Sequence, residues 1–442
     1  MNLCILGGGL SGVSLAYFLQ DNPQIKQIDI IEKNERLGGL CRSFQKKGVC
    51  YDIGPHIIFS KDKEVLNLMT NLLGKNINKL RRSNKIFYKG RFVKYPFENE
   101  LSALPEKDRE YCLNAFLHNP YENYGASNML HFLLKTFGEG ITNTYLRPYN
   151  EKIWKFDPSF MDTQMVDRIP KPLREDIINS ANGVATEGYL HQLYFYYPPK
   201  GGIESLIKAF ANKFNDGVNV ILNSNVAEVQ RINNKWRLKT DTEVFDNYDL
   251  LVSTIPIHSL IKAYKADVPK NVVEAIGDLK YNSIIITIIN VRKDNLGDNF
   301  AVMVPDKDII FHRVSKLNFL GDGYCKKDGS SSLMVEITYR KNSLVDKMSN
   351  EDIVDKILDG LEELKFIDTG KDVNFTEARR FEYAYVIYDL NHRKNMGLIR
   401  SYFADQGIRL CGRFGEFEYL NMDAVIRHAK DLVEKLELEN GK

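Results

Sequence analysis

Six residues near the start of the chain, "GGGLSG" from Gly7 to Gly12, can do chemistry through their backbone alone. Gly7, Gly9 and Gly12 have GxGxxG spacing. Such glycines permit a tight turn and let backbone N–H groups approach a pyrophosphate at a helix N-terminus. The motif follows a short apolar run, Leu3 to Leu6, and opens the helix-patterned stretch Ser11 to Gln20. The next strand pattern, Gln27 to Lys33, carries Glu32 near its end. A carboxylate at that point can accept hydrogen bonds from both hydroxyls of a ribose. The unit is βαβ, and its chemistry is dinucleotide binding. Side chains that could serve as an activated nucleophile are scarce, because no Ser–His–Asp or Cys–His pattern stands out.

A second glycine pair follows the acid directly, in "ERLGGLCRS" (Glu35 to Ser43), flanked by Arg36 and Arg42. "YDIGPHIIF" (Tyr51 to Phe59) comes next. This order resembles the FAD-binding half of the flavin amine oxidase superfamily, and NAD-dependent dehydrogenases do not usually carry the second motif. Near the other end, "CGRFGEFEYLNMDAVIRHAK" puts Gly412 and Arg413 after a strand and Asn421 and Asp423 at the start of a helix. There they can complete a flavin site or act as helix caps. "YDLLVSTIP" (Tyr248 to Pro256) looks like the strand that returns to the flavin domain.

Further segments narrow the likeness. "GPHIIFS", "YPFEN", "RPYNEKIW", "PPKGGIESL", "IIFHR", "RRFEYAY" and "GRFGEFEYLNMD" occur in the order seen in UDP-galactopyranose mutases, over nearly the whole chain. The resemblance implies an isomerase in which reduced FAD interconverts the pyranose and furanose rings of a UDP-sugar without net redox change. It implies attack by flavin N5 on the anomeric carbon, and a role in making cell-surface polysaccharide. It places Gly7, Gly9, Leu10, Ser11, Gly12, Glu32, Lys33, Gly39, Leu40 and Arg42 against the cofactor. Gly54, His56, Val226, Gly412, Arg413, Asn421, Met422 and Asp423 join them, with His56 beside the isoalloxazine and Val226 at the adenine.

On the substrate side, the same likeness puts Tyr95, Phe97 and Glu98 in the uridine pocket and Asn150 and Trp154 against nucleotide and sugar. Arg168 and Arg313 would bracket the diphosphate, Tyr385 and Tyr419 would donate to its oxygens, and Asn421 would sit near the sugar. Arg313, Arg168 and His56 are the expected catalytic residues. The chain also departs from the family. Pro55 stands where some related enzymes have a flexing glycine. Met303 and Leu320 stand where eukaryotic members have substrate-contacting tyrosines, and Glu98 where the family often has glutamine. The flavin half is unchanged by these departures, while the sugar and the nucleotide are left open. The competing reading is an FAD-dependent amine oxidase or desaturase, sharing the fold but removing hydride from a small substrate.

The elements that must position these residues read as an α/β fold. A Rossmann-like FAD-binding domain is expected from 1–80, 183–260 and 385–442, with a mainly helical substrate or lid domain from 81–182 inserted. An antiparallel β-sheet substrate domain is expected from 261–384. "RPYNEKIW" (Arg147 to Trp154) has no clean helical or strand period and reads as a pocket wall. "LYFYYPP" (Leu193 to Pro199) reads as an edge strand or domain contact, and Lys79, Arg81 and Arg82 as solvated surface.

Composition bounds the rest. A formal net charge of +2 over 442 residues argues against nucleic-acid binding driven by bulk charge. Six scattered cysteines suggest free thiols in a reducing compartment, and no pair has metal-ligand spacing. No signal-peptide pattern and no apolar run of the ~20 residues a membrane helix needs is evident. A cytoplasmic protein is expected, with an electron donor for the flavin and a family that is compatible with homo-oligomers.

Overall fold

The computed structural model describes residues 1–166, 172–184, 186 and 193–440. A parallel five-stranded sheet draws its strands from three distant stretches of chain. Its order is Ile408–Leu410, Leu250–Ser253, Asn2–Leu6, Gln27–Ile31 and Val218–Ile221. Leu3 aligns with Leu250 on one side and with Ile28 on the other. The central strands are near-continuous apolar runs, as expected where both faces of a sheet are covered. Leu3, Cys4, Ile5 and Leu6 are all fully buried. Helices Leu10–Leu19 and Met422–Asn440 pack together over this sheet. The first strand, helix and second strand form the βαβ unit that the glycine motif implied.

A second sheet of seven strands is antiparallel except at one pair. Its order is Val373–Ile387, Lys280–Val291, Ser331–Tyr339, Arg313–Lys316, Ala301–Met303, Asn84–Tyr88 and Arg91–Lys94. The last two strands correct an expectation: the segment from 81 onward is not helical at its start. "NKIFYKGRFVK" folds as a hairpin, and Lys89 and Gly90 turn at φ 45° and 78°. Two successive positive φ values suit the twist of a tight hairpin. Lysine-glycine is a weaker signal for that turn than asparagine-glycine. Helices then follow at Glu106–Leu117, Met129–Ile141, Arg147–Trp154 and Arg174–Ala181. Strand Tyr194–Tyr197 pairs with Asn78–Arg81 in a separate two-stranded ribbon.

"RPYNEKIW" is the second correction, because Arg147–Trp154 is one regular helix. It continues a wide turn at Thr142–Leu146 and carries Pro148 in its first turn, where a missing N–H costs nothing. Polar pairs four residues apart hold it in place of an apolar stripe. Arg147 Nε lies 2.8 Å from Glu151 Oε1, and Trp154 Nε1 donates to Asn150 Oδ1 at 2.8 Å. The buried Asn282 Nδ2 donates to the carbonyls of Ile153 and Trp154, tying the end of the helix to the large sheet.

Asp52 joins three segments. Its buried carboxylate accepts from Ser43 Oγ at 2.6 Å, from Ile203 N at 3.2 Å and from the Tyr197 hydroxyl. Gly202, at φ 65°, brings the chain so close that a Cβ there would lie 2.2 Å from Ser43 Oγ. All six cysteines are free thiols, and only Cys325 is exposed. Among the described residues no helix is long and apolar enough to cross a membrane. No cluster of three or more His, Cys, Asp or Glu among them is placed to hold a metal.

Replacing Asp52 with Ala strands three donors inside the protein. It should cost about 2–4 kcal/mol in a denaturant melt, against about 1 kcal/mol for Tyr197→Phe.

Candidate active site

The first glycine turn is built by exclusion of side chains. Gly7 turns at φ 99°, and a Cβ on Gly12 would lie 2.1 Å from the Gly7 carbonyl oxygen. Gly9 pairs with Gly38 in an isolated bridge, and a Cβ on Gly39 would lie 3.0 Å from the Gly9 Cα. The two glycine motifs therefore touch backbone to backbone. Gly412, from the far end of the chain, closes on Ser11 so tightly that a Cβ would meet Ser11 Oγ at 2.6 Å.

These turns border an elongated cleft of about 410 Å³. Gly7, Gly9, Leu10 and Ser11 line one part of it, and Glu32, Lys33 and Val226 another. Gly39, Leu40, Arg42, His56, Gly412, Arg413 and Met422 complete the expected residues found there. Gly12 instead packs beneath the turn. Asp423 accepts from Ser60 Oγ at 2.5 Å and lines a small adjoining space with His56. Glu32 is buried and already accepts from Gly8 N at 2.8 Å and Asn34 N at 2.9 Å. A carboxylate has about four acceptor sites, so capacity remains for a ribose hydroxyl. The helix Leu10–Leu19 opens on this cleft with no side-chain cap and no acid in its first turn. Uncapped amides at a helix start are what an anionic pyrophosphate requires. The bare backbone cradle and these amides fit a dinucleotide.

A second cleft, of about 240 Å³, shares Leu40, His56 and Arg413 with the first. It brings together Gly54, Tyr95, Arg313, Tyr385, Tyr419 and Asn421. Arg313 Nε and Nη2 grip Glu336 Oε1 and Oε2 at 2.5 and 2.6 Å, and Glu336 is fully buried. Burial opposes the charge on Arg313, but the Glu336 carboxylate outweighs it and holds the guanidinium protonated. Burial raises the Tyr385 and Tyr95 phenols, so both are neutral donors at pH 7. His56 Nδ1 is buried without a partner among the described residues. Burial, and then the nearby Arg413 charge, push this imidazole down to about 3, so it is neutral.

Other expected residues stand behind the cleft wall. Trp154 packs edge-on against Tyr385 and Tyr419, with centroids 5.7 and 5.5 Å away. Asn150 is spent on the Leu146 carbonyl and the Trp154 indole. Phe97 is buried and stacked on Tyr145 at 4.9 Å, and the buried Glu98 offers its carbonyl to Ser180 Oγ. Arg168 lies outside the described residues.

Three groups at the site escaped the sequence reading. Arg82 and Asn84 line the second cleft, and the Arg82 guanidinium sits 5.2 Å from the Phe59 ring centroid. Arg82 was expected on the solvated surface; the hairpin after it turns it inward. Glu416 accepts from Gly412 N at 2.8 Å and from His428 Nδ1 at 3.1 Å, bracing the loop that borders both clefts. Its spacing to His428 spans a turn and a helix start, so no simple motif reveals it.

A sequence model of the flavin containing amine oxidoreductases matches residues 10–414, which span both glycine motifs and the Gly412 loop. The chain belongs to that family. FAD is its cofactor. The fold is also similar to a crystal structure of reduced UDP-galactopyranose mutase, at 25% identity and a TM-score of 0.89 over 98% of this chain and 96% of that one. A protein from Exiguobacterium sp. 255-15 assigned as a protoporphyrinogen oxidase aligns at 18% identity and TM-score 0.79, over 99% of both chains. A CLA-producing fatty acid isomerase from P. acnes aligns at 15% and 0.67, over 98% of both. At these lower identities the likeness is one of fold.

Two outcomes follow from this geometry. Gly12→Val must displace the Gly7 carbonyl, so the purified variant should carry little or no flavin by its visible absorbance. His428 is raised above its ordinary value, first by its hydrogen bond to Glu416. Its stabilising contribution is therefore full below the ordinary histidine pKa and is lost as pH rises through the folded value. The melting-temperature gap between the parent protein and His428→Ala should be larger at pH 5.5 than at pH 9.

Proposed function

We propose that the protein is an FAD-dependent sugar-nucleotide mutase, interconverting pyranose and furanose forms of UDP-galactose or a related nucleoside-diphosphate sugar. The observation that carries this reading is the convergence of Arg313, Tyr385, Tyr419 and Asn421 on a cleft that meets the cofactor cleft at Leu40, His56 and Arg413. Ring isomerisation at an anomeric carbon needs the diphosphate to leave, stay and return. Glu336 fixes Arg313 through Nε and Nη2, and Nη1 carries the remaining N–H pair for a phosphate oxygen. The two phenols add neutral donors. Each charge-assisted hydrogen bond is worth roughly 1.5–3 kcal/mol net. Arg168 is assigned as the second guanidinium on the family likeness.

On the cofactor side, the uncapped amides of residues 9–11 would face the pyrophosphate, Glu32 the ribose and Val226 the adenine. Leu40, His56 and Arg413 would flank the flavin ring where the two clefts meet. Bound reduced FAD would supply the electron-rich nitrogen that the chain itself lacks as a nucleophile. A neutral His56 can contact the ring without giving it a proton. Burial of the cleft limits water, which would otherwise capture the sugar. The reading further assigns a cytoplasmic location and an external electron donor.

An oxidase or desaturase on the same fold makes a different prediction. Reduced, FAD-loaded protein given UDP-galactose and related sugars should yield furanose product with no net consumption of oxygen. Peroxide released in step with substrate loss would overturn the mutase assignment. Arg313→Lys should keep charge opposite Glu336 but lose the fork, lowering kcat/KM by about ten- to a hundredfold. Arg313→Ala is less informative, because it leaves the buried Glu336 uncompensated and destabilises the fold.

A further inference from the structure

The second cleft continues past Arg82, Asn84 and Tyr95 into a further space of about 500 Å³. Arg81, Lys85 and Lys94 line that space with Phe319. Lys85 is 3.5 Å from Glu100, and Lys94 donates to the Thr186 carbonyl. Among the described residues lining either space, none is a carboxylate. Glu336 and Glu100 reach in only as partners of lining cations. The combined cavity is therefore strongly positive, well beyond what one diphosphate on Arg313 demands.

Arg82 sits at the seam of the two spaces. It precedes strand Asn84–Tyr88, whereas Arg313 opens strand Arg313–Lys316, and strand Ala301–Met303 lies between them. Neighbouring strands are ~4.8 Å apart, so the two backbones stand about 10 Å apart or more. Cations so spaced suit two different anionic groups on one ligand. A diphosphate held by Arg313, Tyr385 and Tyr419 leaves Arg82 for another anion. Beside Arg82, Asn84 Oδ1 is buried with no hydrogen-bond partner among the described residues. An acceptor of that kind suits a sugar hydroxyl.

We propose that the sugar this site takes is acidic: a nucleoside-diphosphate sugar whose ring carries a carboxylate, bound by Arg82, with a neighbouring hydroxyl donated to Asn84. The proposal rests on the mutase reading of the same cleft and names its substrate class. Arg82 is then the residue that sets specificity, and a neutral hexose leaves it without its anion.

Calorimetric titration of the FAD-loaded protein with UDP, UDP-galactose and UDP-galacturonate tests this. The uronate should bind at least about tenfold more tightly than the neutral sugar, the gain expected of one charge-assisted pair. Arg82→Gln should erase that difference and change the affinity for UDP less than twofold. Arg82→Lys should retain part of it. Unchanged binding of UDP to each variant also shows that its site is folded. If UDP binds but the two sugars bind equally, or if Arg82→Gln weakens UDP as much as the uronate, the carboxylate assignment falls and the mutase reading stands. If UDP itself does not bind the parent protein, both fall.

Discussion

The site depends on backbone approaching backbone where no Cβ can fit. Gly9 meets the Gly38–Gly39 turn, Gly12 lies under the Gly7 carbonyl, and Gly412 closes over Ser11. Each contact removes a side chain from the place where a pyrophosphate and its riboses would lie. Each also joins stretches that are far apart in sequence. The cradle therefore has the same cause as the sheet beneath it, which needs strands from the beginning, middle and end of the chain. Family membership and FAD follow from this cradle, while substrate choice is decided next to it.

Next to the cradle, electrostatics takes over from sterics. Arg313 is held by the fully buried Glu336, which fixes its plane and keeps it charged against the cost of burial. Tyr385 and Tyr419 are braced from behind by the Trp154 ring, and Trp154 in turn by Asn150. The residues facing the ligand are thus set by a second layer, and that layer absorbs four of the side chains expected to face the ligand directly: Phe97, Glu98, Asn150 and Trp154. Positive charge extends sideways from Arg313 to Arg82 along the large sheet.

The sequence was most legible where structure is local. Gly7, Gly9, Gly12 and Glu32 act within one βαβ unit, so spacing alone revealed them. Gly412 and Arg413 followed because their strand pattern and helix start are also local. The helix Arg147–Trp154 was illegible because its support is a set of polar pairs and a carbonyl contact from Asn282, none of which leaves an apolar period. The hairpin from Asn84 to Lys94 hid behind a basic run and an uncommon turn, and with it the inward placement of Arg82. Glu336 belongs to a strand that reads only as apolar alternation; its role appears once Arg313 is aligned opposite it. Where two strands or two layers must meet, chemistry is a property of the fold and not of any short motif.

The parallel sheet places Leu251 opposite Ile408, and the strand Ile408–Leu410 is its outermost member on that side. A ribosome must therefore release almost the entire polypeptide before this edge can be completed and Gly412 can close over Ser11. Until then the earlier strands expose an open edge, and contacts of such long sequence separation form slowly. The nascent protein passes through an interval in which its apolar strands are made but its nucleotide grip is not, a window in which chaperone binding and early capture of FAD would both favour productive assembly.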